Sequence, residues 1–427
     1  MPLDYGEPGG ETIKLALNRL PAGDQGRRIG ALLTNPGGPG VSGLQYVYQT
    51  APEQLSAELR GRYDIVGLDP RGVGKSSPVR CMTNARLARL QRSGADPVKV
   101  AEAFAESCAE KSGRLLPFVG TDNAARDLDV VRAALGADKL DYLGFSYGTE
   151  LGQYYAEQFP RRVGRMALDS VVNPTTTRDF AARAVAFETT LGVFVQSCID
   201  QGDCPMGTRR GTVLEEIGDL VARARSKPLS AGRANPPVSS SVLVQGMYQA
   251  MYQQDTWPAL AKALAGGFDG DGERLGAFFQ DGGDDDGVTI GANIAVECLQ
   301  YRPEDRTPEA VRAAIAEAGR DAPLFGKELA ARVLWGCAKW PTPSIPQAGR
   351  AMTAQGAPEI LLVNNLNDPA TPVSGARAVE GQLDKATLAT NASGGHLFYP
   401  QGPCTRRVVD DFLVRGKLPA KSQACDD

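Results

Sequence analysis

Six short apolar runs, each closing on a cluster of Gly, Asp, Asn or Pro, constrain this chain more than any other feature. IGALLTNPGG, YDIVGLDPRG, LDYLGFSYG and GRMALDSVV come early, and EILLVNNLNDP and ATLATNASGGH come late. Runs of this kind read as parallel strands whose carboxyl ends carry the working loops. Helical patterns lie between them: in residues 121–135 (TDNAARDLDVVRAAL) apolar positions recur at helical spacing behind a Thr/Asp start that can cap a helix. Strands alternating with helices make βαβ units, so the expected class is α/β, a mostly parallel central sheet flanked by helices.

From about residue 174 to 346 the pattern changes to amphipathic helical segments such as FAARAVAFETTLGVFVQSCI, with little strand character. The expected organisation is therefore a core in two parts, residues 1–173 and 347–427, interrupted by a helical cap at 174–346. Inside the cap, GGFDGDGERLGAFFQDGGDDDG is acidic and glycine-rich. A calcium loop of the EF-hand type requires glycine at its sixth position; counted from Asp269 that position is Arg274. A solvated loop is expected there, and no metal site.

At 427 residues and 42% hydrophobic content the chain can bury a large core. A net charge of -4 without any block of like charge argues against a nucleic-acid partner. There is no apolar run of membrane-spanning length, and the first residues lack the basic start and apolar middle of a signal peptide. A monomer is expected.

The eight cysteines, Cys81, Cys108, Cys198, Cys204, Cys298, Cys337, Cys404 and Cys425, include no C-x-x-C pair. Disulfides are expected over inert thiols, and they point to a secreted or cell-envelope protein whose signal is not in this chain. Neighbour-order pairing is the simplest arrangement, because each bond then closes a short loop.

Gly144-Phe145-Ser146-Tyr147-Gly148 is a G-x-S-x-G motif between the apolar run LDYL and the helical-looking TELGQYYAEQF. A strand-to-helix turn of that sequence projects the serine hydroxyl above the sheet edge, the nucleophile elbow of α/β-hydrolases. Serine requires a base, and the base requires an orienting acid. His396 is the only histidine in the chain, and it follows the last apolar run on a Gly-Gly loop. Because the acid falls between serine and histidine in this architecture, Asp368, at the end of EILLVNNLND, is preferred to Asp384, which sits in the apparent helix AVEGQLDKA.

An oxyanion needs backbone N–H donors fixed in place. Gly38, with Gly37 beside it in Asn35-Pro36-Gly37-Gly38-Pro39-Gly40, and Tyr147 after the serine are the candidates. Asp69 to Ser76 ends in G-K-S but has Asp69 where a phosphate-binding loop has glycine, so it is read as a turn supporting the oxyanion loop.

Taken in order, NPGGPGVSG, YDIVGLDPRGVGKSS, LGFSYGTELGQYYAEQFP, LDSVVNP, NDPATPV and GGHLFY resemble the tripeptidyl-aminopeptidase branch of the proline-iminopeptidase-like α/β-hydrolases. The resemblance spans nearly the whole chain. It implies an exported bacterial serine exopeptidase with no cofactor, releasing tripeptides or single residues from a free amino terminus, with Ser146, Asp368 and His396 as triad and Gly38 and Tyr147 as oxyanion donors. Many members carry an acidic residue shortly after the cap cysteine; here Leu299 and Gln300 follow Cys298. Glu297 is the candidate to receive the substrate's α-ammonium through charge-assisted hydrogen bonds. A rival reading keeps the triad and makes the chain an esterase, lactonase or amidase for a small acyl substrate. A second rival is a non-catalytic binding module of the same shape.

Overall fold

A computed structural model describes every residue except 93–94, 177–179, 233–236, 279–286, 421–422 and 427. Among the described residues its sheet has eight strands: β1 (Leu17–Leu20), β2 (Gly30–Asn35), β3 (Tyr63–Leu68), β4 (Leu140–Phe145), β5 (Val163–Asp169), β6 (Ile360–Asn367), β7 (Ala386–Gly394) and β8 (Ala424–Cys425). The spatial order is β1-β3-β2-β4-β5-β6-β7-β8, with β1 antiparallel to β3 and every other neighbour parallel. The chain is thus an α/β protein with a mostly parallel sheet, and the six apolar runs are β2 to β7.

Parallel strands covered by helices on both faces are apolar on both. Along β3 all six residues are buried. Their side chains divide with the pleat: Val66 and Leu68 enter one core with Leu33, Tyr142, Leu168, Ile360 and Leu362. Tyr63 and Ile65 enter the other with Leu32, Leu143, Phe145, Leu361 and Val363. The helices Thr121–Ala134 and Tyr147–Gln158 cover the first face, and Pro403–Arg415 covers the second.

After β2 the chain turns to β3 on one side and later crosses to β4 on the other, so the loops leaving β2 and β4 diverge at the switch point of the sheet. A crevice opens at such a point, beyond the strands' carboxyl ends. Asn35 pairs with Gly144 at this edge, which brings the NPGGPG loop beside Ser146.

Between β5 and β6 the described residues form eight α-helices: Phe180–Asp200, Arg210–Ser226, Ser240–Ala250, Trp257–Phe268, Glu273–Phe278, Val288–Leu299, Pro308–Asp321 and Gly326–Ala338. The first five build a core of their own around Phe187, Phe194, Ile217, Leu243 and Leu260. Residues of Val288–Leu299, Pro308–Asp321 and Gly326–Ala338 join the core under the sheet. The acidic run 279–286, part of the segment weighed for calcium, lies outside the described residues.

The cysteines pair in neighbour order: Cys81 with Cys108, Cys198 with Cys204, Cys298 with Cys337 and Cys404 with Cys425. Cys298–Cys337 ties two inserted helices together, and Cys404–Cys425 pins the two-residue β8 to the helix Pro403–Arg415. A native disulfide of this kind contributes about 2–4 kcal/mol.

Candidate active site

Ser146 stands between β4 and the helix Tyr147–Gln158 at φ 54° and ψ −122°. A non-glycine residue held at positive φ costs about 1–3 kcal/mol and persists only where its surroundings fix it. Here the fixing is steric and directional. The Ser146 N–H donates to the Asp169 carbonyl at 2.8 Å. A Cβ on Gly37 would stand 2.6 Å from the Phe145 carbonyl oxygen and 2.9 Å from Ser146 Cβ, so the β2 loop closes on the turn only as glycine. A Cβ on Gly148 would likewise meet the Asn35 carbonyl oxygen at 2.7 Å.

His396 follows β7 behind Gly395, which has φ 83°. Its Nδ1 lies 3.0 and 2.9 Å from the two oxygens of Asp368, a side chain with no exposed surface. Asp368 also accepts from the N–H groups of Ala370 and Thr371 and from the Thr371 hydroxyl, all at 2.9 Å. Burial alone would raise the Asp368 carboxyl, but the His396 ring and the donors from Thr371 and Ser170 outweigh it and hold the group below the ordinary carboxylate range. An ionised Asp368 accepts the Nδ1 proton and leaves the lone pair of a neutral imidazole on Nε2. That Nε2 is buried and has no hydrogen-bond partner among the described residues, Ser146 included. The edge of the ring packs against Tyr252 at 5.3 Å, and the His396 N–H donates to the Tyr252 carbonyl at 3.1 Å. Asp384 is exposed and takes no part.

Residues that sequence reasoning missed hold the histidine loop. Asp169, at the end of β5, accepts from the N–H groups of Phe398 and Tyr399, both at 2.8 Å, and Ser170 Oγ accepts from Leu397 N–H at 3.0 Å. Asn365 Nδ2 donates to the carbonyls of Gly395 and Leu397. Burial pushes the Asp169 carboxyl up to about 7, against the pull of Phe398 and Tyr399. LDSVV was legible only as a strand end; the bonds to residues more than two hundred positions away give it this second role.

The donor expectations divide. Gly37 N–H is spent on Asn35 Oδ1 at 2.9 Å, an Asx-type bond, which corrects its reading as an oxyanion donor. Gly38 N–H and Tyr147 N–H have no acceptor among the described residues, and both residues line one cavity with Ser146. Asp69 steadies the loop from below, accepting from Ser42 Oγ at 2.6 Å, Leu44 N–H at 3.2 Å and Lys75 N–H at 2.8 Å.

That cavity, about 470 Å³, lies between the sheet edge and the inserted helices. Phe187, Tyr248 and Tyr252 make an aromatic wall, with the two tyrosine hydroxyls 2.7 Å apart. Glu297 reaches it from the helix Val288–Leu299, with Arg183 3.9 Å away, and Glu150 reaches it from the helix after Ser146. Gln300, where the resemblance has an acid nearby, also lines the cavity; its Nε2 donates to Thr121 Oγ1 and its Oε1 accepts from Tyr154 at 3.1 Å. Among the described residues no cluster of metal-ligating side chains occurs and no helix is long and apolar enough to cross a membrane.

A family described as TAP-like protein matches residues 322–425. Serine protease Hip1 of Mycobacterium tuberculosis is 32% identical, over all of this chain and 86% of its own length. Tripeptidyl aminopeptidase of Streptomyces lividans is 34% identical over all of this chain and 82% of its own, and carboxylesterase B of M. tuberculosis is 33% identical over all of this chain and 85% of its own. Among solved structures, proline iminopeptidase of Mycobacterium smegmatis aligns at 16% identity and TM-score 0.40, covering 94% of each chain.

Proposed function

Because the chain belongs to the α/β-hydrolase family of tripeptidyl aminopeptidase and serine protease Hip1, and is on that ground a serine hydrolase of the peptidase type, we propose that it releases tripeptides or single residues from free amino termini. In this reading Ser146 is the nucleophile, His396 the base and Asp368 the orienting acid. The observation that carries it is the Nδ1 bond from His396 to Asp368, which leaves a bare Nε2 in a site that already holds a serine on a strained turn and two unspent backbone donors.

His396 Nε2 takes the hydroxyl proton as Ser146 Oγ adds to the scissile carbonyl carbon, and the carbonyl electron pair moves to oxygen, where the N–H groups of Gly38 and Tyr147 receive it. Asp368 stabilises the imidazolium. The intermediate then collapses, the peptide C–N bond breaks, and the leaving amine takes the proton from His396. Water attacks the acyl-enzyme by the same route and frees the carboxylic acid. The Ser146–His396 hydrogen bond is one that closes around substrate, as such bonds often do.

Residues 174–346 serve as the cap over the cleft. Glu297 receives the α-ammonium of the peptide, supported by its place in the cavity with Ser146 and by the burial that raises its carboxyl against the pull of Arg183. Glu297→Gln should lower kcat/KM on free-amine aminoacyl and tripeptidyl reporters about 10-fold, as expected for one charge-assisted hydrogen bond, and lower it far less on acetyl-blocked ones. Equal losses on both would remove Glu297 from this role.

The 33% identity to carboxylesterase B keeps an esterase reading in view. It predicts acetyl or longer acyl esters as the better substrates and indifference to blocking the amine. Four disulfides fit an oxidising compartment, and we place the protein outside the cytosol or in the cell envelope.

A further inference from the structure

We propose that Glu150 and Glu297 form a two-carboxylate seat, one wall from the sheet domain and one from the inserted helices, that takes a protonated amine in the acyl half of the substrate. The proposal rests on the aminopeptidase reading and adds Glu150 to it as a specificity-determining residue.

Glu150 lies in the first turn of the helix Tyr147–Gln158, four residues after Ser146, which stands just before that helix. It is 3% exposed and lines the same cavity as Ser146 and Glu297. No hydrogen bond or ion pair to its carboxylate occurs among the described residues. Its oxygens are not among the sealed, unpartnered polar atoms and so open on the cavity, where a cation entering with a ligand can reach them.

The neighbours that could satisfy it are engaged elsewhere. Tyr147 hydroxyl is bonded to Thr121 at 2.9 Å, Tyr154 hydroxyl to Gln300 at 3.1 Å, and Gln300 Nε2 to Thr121. Arg183, the cation of this cavity among its described lining residues, stands against Glu297 and over the Phe180 ring.

Two carboxylates and one guanidinium leave the ionised cavity one positive charge short. A substrate ammonium supplies that charge, and its three N–H donors suit oxygens arriving from two directions. Without substrate the cavity avoids the deficit by holding a proton: burial, then the charge of Glu297, push the Glu150 carboxyl up to about 8. Ammonium binding displaces that proton. As pH rises from 6 toward 7.5, Glu150 ionises more readily while a peptide amine stays largely protonated, so preference for a free amine increases.

The test is kcat/KM of the whole protein on one tripeptidyl anilide with a free and with an acetylated amino terminus, for wild type, Glu150→Gln and Glu297→Gln, at pH 6.0 to 7.5. Expected are a wild-type free-to-blocked ratio that climbs with pH, and a ratio about 10- to 100-fold smaller and flat with pH in Glu150→Gln, with the loss carried by KM. Glutamine keeps the shape and removes a buried charge, and thermal unfolding checks that the variant folds. If Glu150→Gln retains the wild-type ratio, or loses activity equally on both anilides, the seat is wrong and the aminopeptidase reading stands. If wild type does not discriminate between the two, both fall.

Discussion

His396→Ala should reduce kcat by about 10⁵- to 10⁶-fold while leaving the fold intact, the size of effect seen when a triad histidine is removed. The ring contributes its edge contact with Tyr252 and its bond to Asp368, but the loop around it is held by backbone groups: Leu397, Phe398 and Tyr399 donate to Ser170 and Asp169. With one histidine in 427 residues, no second imidazole can take over as base. What activity remains would come from binding and from the N–H groups of Gly38 and Tyr147. Single-turnover assays on an activated anilide, with circular dichroism as the folding control, read this directly; retention of more than about 1% of wild-type kcat would be far above that residual and would remove His396 from the mechanism.

Gly37→Val should damage both stability and turnover. At φ 97° a side chain is strained before it touches anything, and its Cβ would overlap the Phe145 carbonyl oxygen and Ser146 Cβ, neither of which is a free side-chain end. Strain of about 1–3 kcal/mol and overpacking of about 1–3 kcal/mol combine to a loss of roughly 2–6 kcal/mol. Any relief comes from moving the turn that aims Ser146, and a displacement near 1 Å costs about 10²-fold in rate. Gly136→Ala is the control: it also has positive φ, 69°, but a Cβ there meets nothing within 4 Å. It should cost only about 1–2 kcal/mol and leave kcat alone. Equal effects of the two substitutions on kcat would contradict the close approach of the β2 loop to the turn.

How much of this was legible in the sequence follows from where the information resides. β2 to β7 were visible because strands covered on both faces must be apolar along their length. β1 was not: LNRL alternates between exposed and half-buried positions at the edge of the sheet. β8, with two residues, has no pattern to read. The places of the candidates Ser146, Asp368 and His396 were legible because each lies in a loop directly after a strand, where local sequence already gives position. Asp169 occupies the same kind of place, yet its bonds to Phe398 and Tyr399 join segments far apart in the chain.

Glu150 in TELGQ looks like any polar residue of an amphipathic helix, and only the folded chain shows it buried beside Glu297 in the cavity lining. Arg183 in FAARAVAF gives no local sign of its approach to Glu297, which sits on another of the inserted helices. Gly37 was misread as a donor because Asn35, two residues earlier, captures its N–H; the N-P-G sequence carries that signal, since asparagine side chains bond their own backbone two residues on.

The most direct test of the central claim, a Ser146 nucleophile driven by His396, is covalent labelling with a fluorophosphonate followed by peptide mass spectrometry. One phosphonyl group per chain on the peptide containing Ser146, formed with loss of activity and slowed by orders of magnitude in His396→Ala, is the predicted result. A label on another residue, or full activity on aminoacyl and tripeptidyl anilides in Ser146→Ala, would contradict it.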